Sequence, residues 1–133
     1  MRVVARRRDG YTHDVEIDSG HMIVIDEPEE AGGADLGPSP TRAAAAGLAA
    51  CTAITCEMYA ARKGWDLGAV ECEVEVQQGR GSAFEEITLT LRIPTNLDDE
   101  QRDRLLVIAG KCPVHRALSG ETEVVIRDRI ESG

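Results

Sequence analysis

At 133 residues, 42% of them hydrophobic and 29% charged, the chain has the length and composition of one globular domain with a real core, not of a disordered or fibrous protein. A formal net charge of −9 argues against phosphate-driven nucleic-acid binding, which needs a basic surface, and an aromatic content of 3% offers no platform for stacking bases. The first residues lack the apolar stretch of a secretory signal and no run reaches the roughly 20 apolar residues of a membrane span. A cytoplasmic protein is therefore expected, with no membrane partner and with its four cysteines reduced, catalytic or buried.

In chain order, the N-terminal part reads as short strands. The basic run Arg6–Arg8 is the one exception to the acidic balance; a solvated edge strand explains it, and a functional arginine is the other reading. "HDVEIDSGHMIVID" has two apolar runs about Ser19-Gly20, which predicts a hairpin. Residues 26 to 40, "DEPEEAGGADLGPSP", are acidic, rich in Gly and Pro and without apolar periodicity. A structureless stretch of about 15 residues inside a domain is uncommon and often functional.

"TRAAAAGLAACTAITCEMYAARKGW" is the strongest element. From Ala43 to Cys56 it is apolar or small nearly all round, the mark of a helix buried on most sides; Arg62, Lys63 and Gly64 close it with cations and a capping glycine. "AVECEVEVQQ" alternates, with Val70, Cys72, Val74 and Val76 on one face. "EEITLTLRIP" does so again with Ile87, Leu89, Leu91 and Ile93, and "GRGSA" turns the chain between them. "NLDDEQRDRLLVIAGK" predicts an amphipathic helix with acids in its first turn. "KCPVHRALSG" then predicts a short helix capped by Cys112, begun by Pro113 and stopped at Ser119-Gly120. "ETEVVIRDRI" reads as a closing strand with Val124, Ile126 and Ile130 on one side. Strands and helices do not alternate regularly, so the class is α+β with a mostly antiparallel sheet, in a single domain over residues 1–133. One small sheet cannot cover so apolar a helix, which leads us to expect an obligate dimer.

Cysteine chemistry is the sharpest candidate function. Cys72, on the apolar face of a strand, reads as core. Cys51 and Cys56 share the long helix, but five residues set them about 140° apart, so at most one of them faces a given site. No helix end acts on Cys51, whose thiolate would need a nearby cation. Cys112 has the better local argument, since a thiol at a helix N-terminus is biased toward thiolate, and His115 and Arg116 follow over the same face. Cys112-x-x-His115 also has metal-ligand spacing, with His13, His21 and Cys51 as further donors. No second paired motif supports zinc, and His21, beside an apolar strand, reads as structural.

"GPSPTRAAAAGLAACTAIT", followed by "MYAARKGW" and later by "KCPVHRALSG", resembles the OsmC/Ohr family of osmotically inducible and organic hydroperoxide resistance proteins, and within it the OsmC-like branch with "CPVH". The resemblance takes in "DEPEEAGGADLGPSP" and most of the chain. It implies the OsmC-like fold, in which antiparallel sheets wrap around long central helices in an intertwined homodimer. It also implies a cysteine-based peroxidase acting on organic hydroperoxides or hydrogen peroxide. Cys51 would attack the O–O bond as thiolate and become a sulfenic acid, Cys112 would condense with it to a disulfide, and a dithiol, lipoyl-type in characterised members, would reduce the pair. No metal, haem or flavin is implied.

The chain departs from the peroxidase members at one place. They carry a glutamate just after the proline that begins the long helix, and it orients an arginine beside the reactive sulfur; here Thr41 and Arg42 follow Pro40. Arg42 lies about 13 Å from Cys51 along the helix and on roughly the opposite side. Arg6, Arg7, Arg8 and Arg116, from either chain, are the remaining candidates for the cation. The departure leaves open an alternative of another class: a non-catalytic protein of the same fold that binds a small apolar or electrophilic ligand at the dimer interface.

Overall fold

A computed structural model describes residues 1–18 and 20–133, so position 19 of the expected hairpin lies outside the described residues. The chain divides into two units, Met1–Ala46 with Val76–Glu86, and Gly47–Glu75 with Ile87–Gly133. Mixed helices and antiparallel strands bear out the α+β class.

In the first unit, β1 (Val3–Asp9), β2 (Thr12–Ile17) and β3 (His21–Ile25) form an antiparallel sheet in that order, with Ala5 opposite Val15 and Val15 opposite Ile23. Val15 is buried on the middle strand. The basic run lies on edge strand β1, where Arg6 pairs with Glu16 and Arg8 with Asp14 across the ladder. Long cations along an edge both satisfy cross-strand carboxylates and discourage edge-to-edge pairing.

Residues 26 to 40 are not structureless. They contain a 3-10 turn at Glu29–Ala31 and are organised by one carboxylate. Asp26 is 1% exposed. Its Oδ2 accepts from the Thr12 hydroxyl at 2.8 Å and from the Leu36 amide at 3.2 Å, and its Oδ1 accepts from the Glu27 amide at 2.7 Å. Burial pushes this carboxyl up, but the hydrogen bonds from Thr12, Glu27, Leu36 and Ala34 outweigh it and hold the group below its ordinary value. Gly33 and Gly37 let the loop close: a Cβ on either would collide with the Glu27 or the Val24 carbonyl. Sequence reading missed this because nothing in the local composition separates Asp26 from its acidic neighbours.

The long helix α1 spans Pro40–Lys63 and ends at Gly64, whose φ of 72° is the left-handed cap expected there. Its buried residues are Leu48, Thr52, Cys56 and Ala60, one stripe at a spacing of four. The expected burial on most sides is therefore not met within one chain, and Ile54 and Met58 are more than half exposed. By length and composition α1 also meets the test for a membrane span, with a mean hydropathy of 1.3 over 18 residues. Counting uninterrupted apolar residues had not suggested this. The core helix of a globular protein passes the same test, and α1 buries one stripe against its own chain.

In the second unit, Cys56 and Ala60 join Leu67, Leu105, Ile108 and Ala109 in the core, flanked by Tyr59, Trp65 and Leu91. The predicted strand pair is present as β4 (Glu71–Gly79) and β5 (Ser82–Arg92), a hairpin turning at Arg80-Gly81 whose outer part, Val76–Glu86, belongs to the first unit. Helix α2 (Asp99–Ala109) starts at a capping box in which Asp98 accepts from the Gln101 amide and the Gln101 side chain accepts from the Asp98 amide. Helix α3 (Pro113–Leu118) begins at Cys112 and ends at Ser119, as its residues predict. The closing strand is absent: residues 123–130 are exposed and in no ladder, with Val124, Val125, Ile126 and Ile130 uncovered. Alternation marks a segment as ready to pair, but a strand exists only where an edge receives it.

Candidate functional site

The structure brings Cys51 and Cys112 together. They are 61 residues apart in sequence, their Cα atoms are 6.0 Å apart, and their sulfurs are bonded as a disulfide. Cys51 reaches this place because it precedes Thr52 on α1. One residue is about 100° of rotation, so it lies at the flank of the buried stripe and is half-buried. Its Sγ also meets the Thr55 hydroxyl, one turn on, at 4.0 Å. Thr55 was not singled out from sequence, although its spacing of four from Cys51 places it on the same face.

Cys112 arrives from the tight connection between α2 and α3. The Lys111 amide donates to the Ile108 carbonyl and the Cys112 amide to that of Ala109, which turns the chain out of α2. Pro113 then starts α3, and Cys112 becomes its cap. The His115 amide donates to Cys112 Sγ at 3.5 Å, and the residue is fully buried. The His115 ring carries a further feature. Its Nδ1 is shut off from solvent and has no hydrogen-bond partner among the described residues.

The other two cysteines stay apart from this pair. Cys56 is buried, and its Sγ donates to the Leu105 carbonyl at 3.7 Å. Burial above all, with Cys72 and Glu57 nearby, pushes its thiol up to about 11. Cys72 is only half-buried, and burial raises its thiol too. Burial thus works against the thiolate at both residues.

The cations considered for Cys51 are engaged locally within one chain. Arg6 and Arg8 hold Glu16 and Asp14, Arg7 donates to the Gly10 carbonyl, and Arg42 reaches the Ser39 hydroxyl at 3.4 Å. Arg116 lies 3.8 Å from Glu121. Thr41 and Arg42 occupy the first turn of α1, so no carboxylate stands there.

The family described as OsmC-like protein matches residues 32–127. The organic hydroperoxide resistance protein OsmC of Legionella pneumophila is 26% identical, with 90% of each chain covered and a TM-score of 0.66. The organic hydroperoxide resistance protein OhrB of Bacillus subtilis is 27% identical over 90% of each chain, with a TM-score of 0.58. An OsmC-like protein of Mycoplasma pneumoniae, 22% identical with 90% of this chain and 86% of its own covered, shares the fold at a TM-score of 0.74. No curated protein matches the chain in sequence.

Proposed function

The chain belongs to the OsmC-like protein family, and from that premise we propose that it is a cysteine-based peroxidase that reduces organic hydroperoxides or hydrogen peroxide in oxidative-stress defence. The observation that carries the proposal is the Cys51–Cys112 disulfide, which links two helices through the residues that sulfur chemistry on a peroxide requires. Relatives called organic hydroperoxide resistance proteins support the substrate class.

In this reading Cys51 is the attacking thiolate. Its sulfur donates an electron pair to one peroxide oxygen, the O–O bond breaks, the departing alkoxide or hydroxide regains from solvent the proton that the Cys51 thiol released on ionising and leaves as alcohol or water, and Cys51 holds a sulfenic acid. Cys112 displaces that oxygen as water and forms the disulfide. Burial favours these roles over the reverse. Half-buried Cys51 is the sulfur that a peroxide can meet, whereas Cys112 is fully buried and suits a resolver that reacts only with its neighbour. An external dithiol of the lipoyl type returns both thiols. We place the whole chain in one domain of a cytoplasmic homodimer that binds neither membrane nor nucleic acid. The apolar side of α1 supports the dimer: only 22% of its 18-residue apolar window is buried in one chain.

The same chain geometry favours a second reading to one extent. Arg42 rests on Ser39, and no carboxylate follows Pro40 to orient a guanidinium, as a protein of this fold that binds a small ligand without catalysis would allow. Thiol counts before and after one equivalent of cumene hydroperoxide separate the two. Loss of two thiols per chain, faster than free cysteine reacts, supports the peroxidase; an unchanged count overturns it.

A further inference from the structure

We propose that the His115 imidazole is the proton carrier of the resolving step, taking the Cys112 thiol proton and delivering it to the oxygen that leaves Cys51. The inference rests on the peroxidase reading above and names a residue that the cysteine pair alone does not supply.

The resolving step has a proton problem. In it the Cys112 sulfur attacks the sulfur of the Cys51 sulfenic acid, an S–S bond forms and the S–O bond breaks. The thiol hydrogen must leave Cys112, and the departing hydroxide must gain a proton to become water. The two transfers balance without any further reactant, provided that one group can take the proton and give it up. Elsewhere bulk water serves, but Cys112 is fully buried. A histidine is the side chain best suited to accept and return a proton near neutral pH.

His115 is placed for this work. It is the third residue of the helix that Cys112 caps, so both lie over one face, and its own amide already touches Cys112 Sγ at 3.5 Å. Neither the hydroxyl beside Cys51 nor the arginine next to His115 in sequence is a good carrier. The Thr55 hydroxyl is not basic, and the Arg116 guanidinium keeps its protons and lies beside Glu121.

The unpartnered ring nitrogen is the second observation. A buried polar atom without a partner is costly, and native structures rarely keep one without a reason. The chain is described here with the disulfide formed, where Cys112 carries no S–H. Reduction restores that hydrogen at the helix cap, on the sulfur that the His115 amide touches. An Nδ1 left without a partner in the disulfide form is free to receive the proton that Cys112 carries once reduced.

The test uses the full-length reduced protein and one equivalent of cumene hydroperoxide. Three quantities are followed: peroxide loss, the lifetime of the Cys51 sulfenic acid by dimedone trapping, and the midpoint potential of the disulfide against dithiothreitol. His115→Gln should prolong the sulfenic acid on the order of 10²-fold, the usual scale of general acid–base assistance, and leave the midpoint unchanged. A proton carrier alters a rate and not the equilibrium. A wild-type lifetime in the variant overturns the inference. So does a prolonged lifetime with a shifted midpoint, because that result means His115 only positions Cys112. His115→Asn answers the same question if the Gln variant does not fold. Wild-type protein that consumes no peroxide overturns the peroxidase reading, and this inference with it, and is told apart from the other outcomes by the first quantity alone.

Discussion

Cys51 and Cys112 share a bond but not a setting, and substitutions should expose the difference. Cys51→Ser should abolish peroxide consumption and leave Cys112 unoxidised by stoichiometric peroxide. Cys112→Ser should consume about one equivalent and then stall with a sulfenic acid that dimedone traps, since an attacking thiol reacts once without its resolver. Exchanged phenotypes would make Cys112, at its helix cap, the nucleophile. The remaining cysteines should be bland. Cys56→Ala and Cys72→Ala should cost at most about 2–3 kcal/mol in denaturant titrations, as core truncations do, and spare the peroxide reaction. Cys56 also gives a pH signature. Its folded-state thiol lies at about 11, above the ordinary value of 9.0, so the unfolded chain loses its proton first as pH rises. The stability from this group is fully present below about pH 9 and is lost as pH climbs to about 11. Alkylation of folded Cys56 by iodoacetamide should stay slow until that window, and Cys56→Ala should flatten the alkaline limb of a stability–pH curve.

Two elements depend on single carboxylates, for different reasons. The loop after β3 closes around Asp26, and Asp26→Ala would leave the Thr12 hydroxyl and the Glu27 and Leu36 amides without their acceptor. A lower melting temperature and faster proteolysis within residues 26–40 are expected. Because the folded Asp26 carboxyl sits below its ordinary value, its contribution is present above the unfolded value near 3.8 and disappears as pH falls through the folded one. Asp26→Asn should therefore lose its penalty in acid, which melting curves at pH 2–7 would show. Asp98 acts on α2 through a capping box, and Asp98→Ala should cost about 1 kcal/mol in denaturant titrations. Cap and loop lie in different units, so the two penalties should add.

For the whole molecule, the exposed apolar surface sets the expectation. Ile54 and Met58 on α1 and Val124, Val125, Ile126 and Ile130 near the C-terminus are uncovered in one chain. Patches of this kind mark interaction sites on soluble proteins. Sedimentation at micromolar concentration should show a dimer; a stable folded monomer would contradict the assembly. Deleting residues 121–133 should weaken association, measured as a rise in the concentration at which monomer appears. Met58→Lys should do the same through a charge that the interface cannot solvate.

What rests on neighbours along the chain was legible in the amino-acid order. Periodicity marked α1, β4, β5 and α2, the Cys112-Pro113 cap marked α3, and the ordered cysteine motifs carried the family. Each is a local signal, since capping, alternation and turn chemistry act over a few residues. Helical rotation also separated Cys51 from Cys56 in advance. Tertiary structure decided what needs groups from distant parts of the chain. Asp26 could not be told from other acids until Thr12 and the amides of Glu27 and Leu36 converged on it. Residues 123–130 alternate like a strand but have no ladder within one chain. The Cys51–Cys112 bond likewise follows from the approach of the α3 cap to α1. Local preference fixes an element's type and faces. Only packing decides which faces meet, and the bonded cysteine pair lies where two of them do.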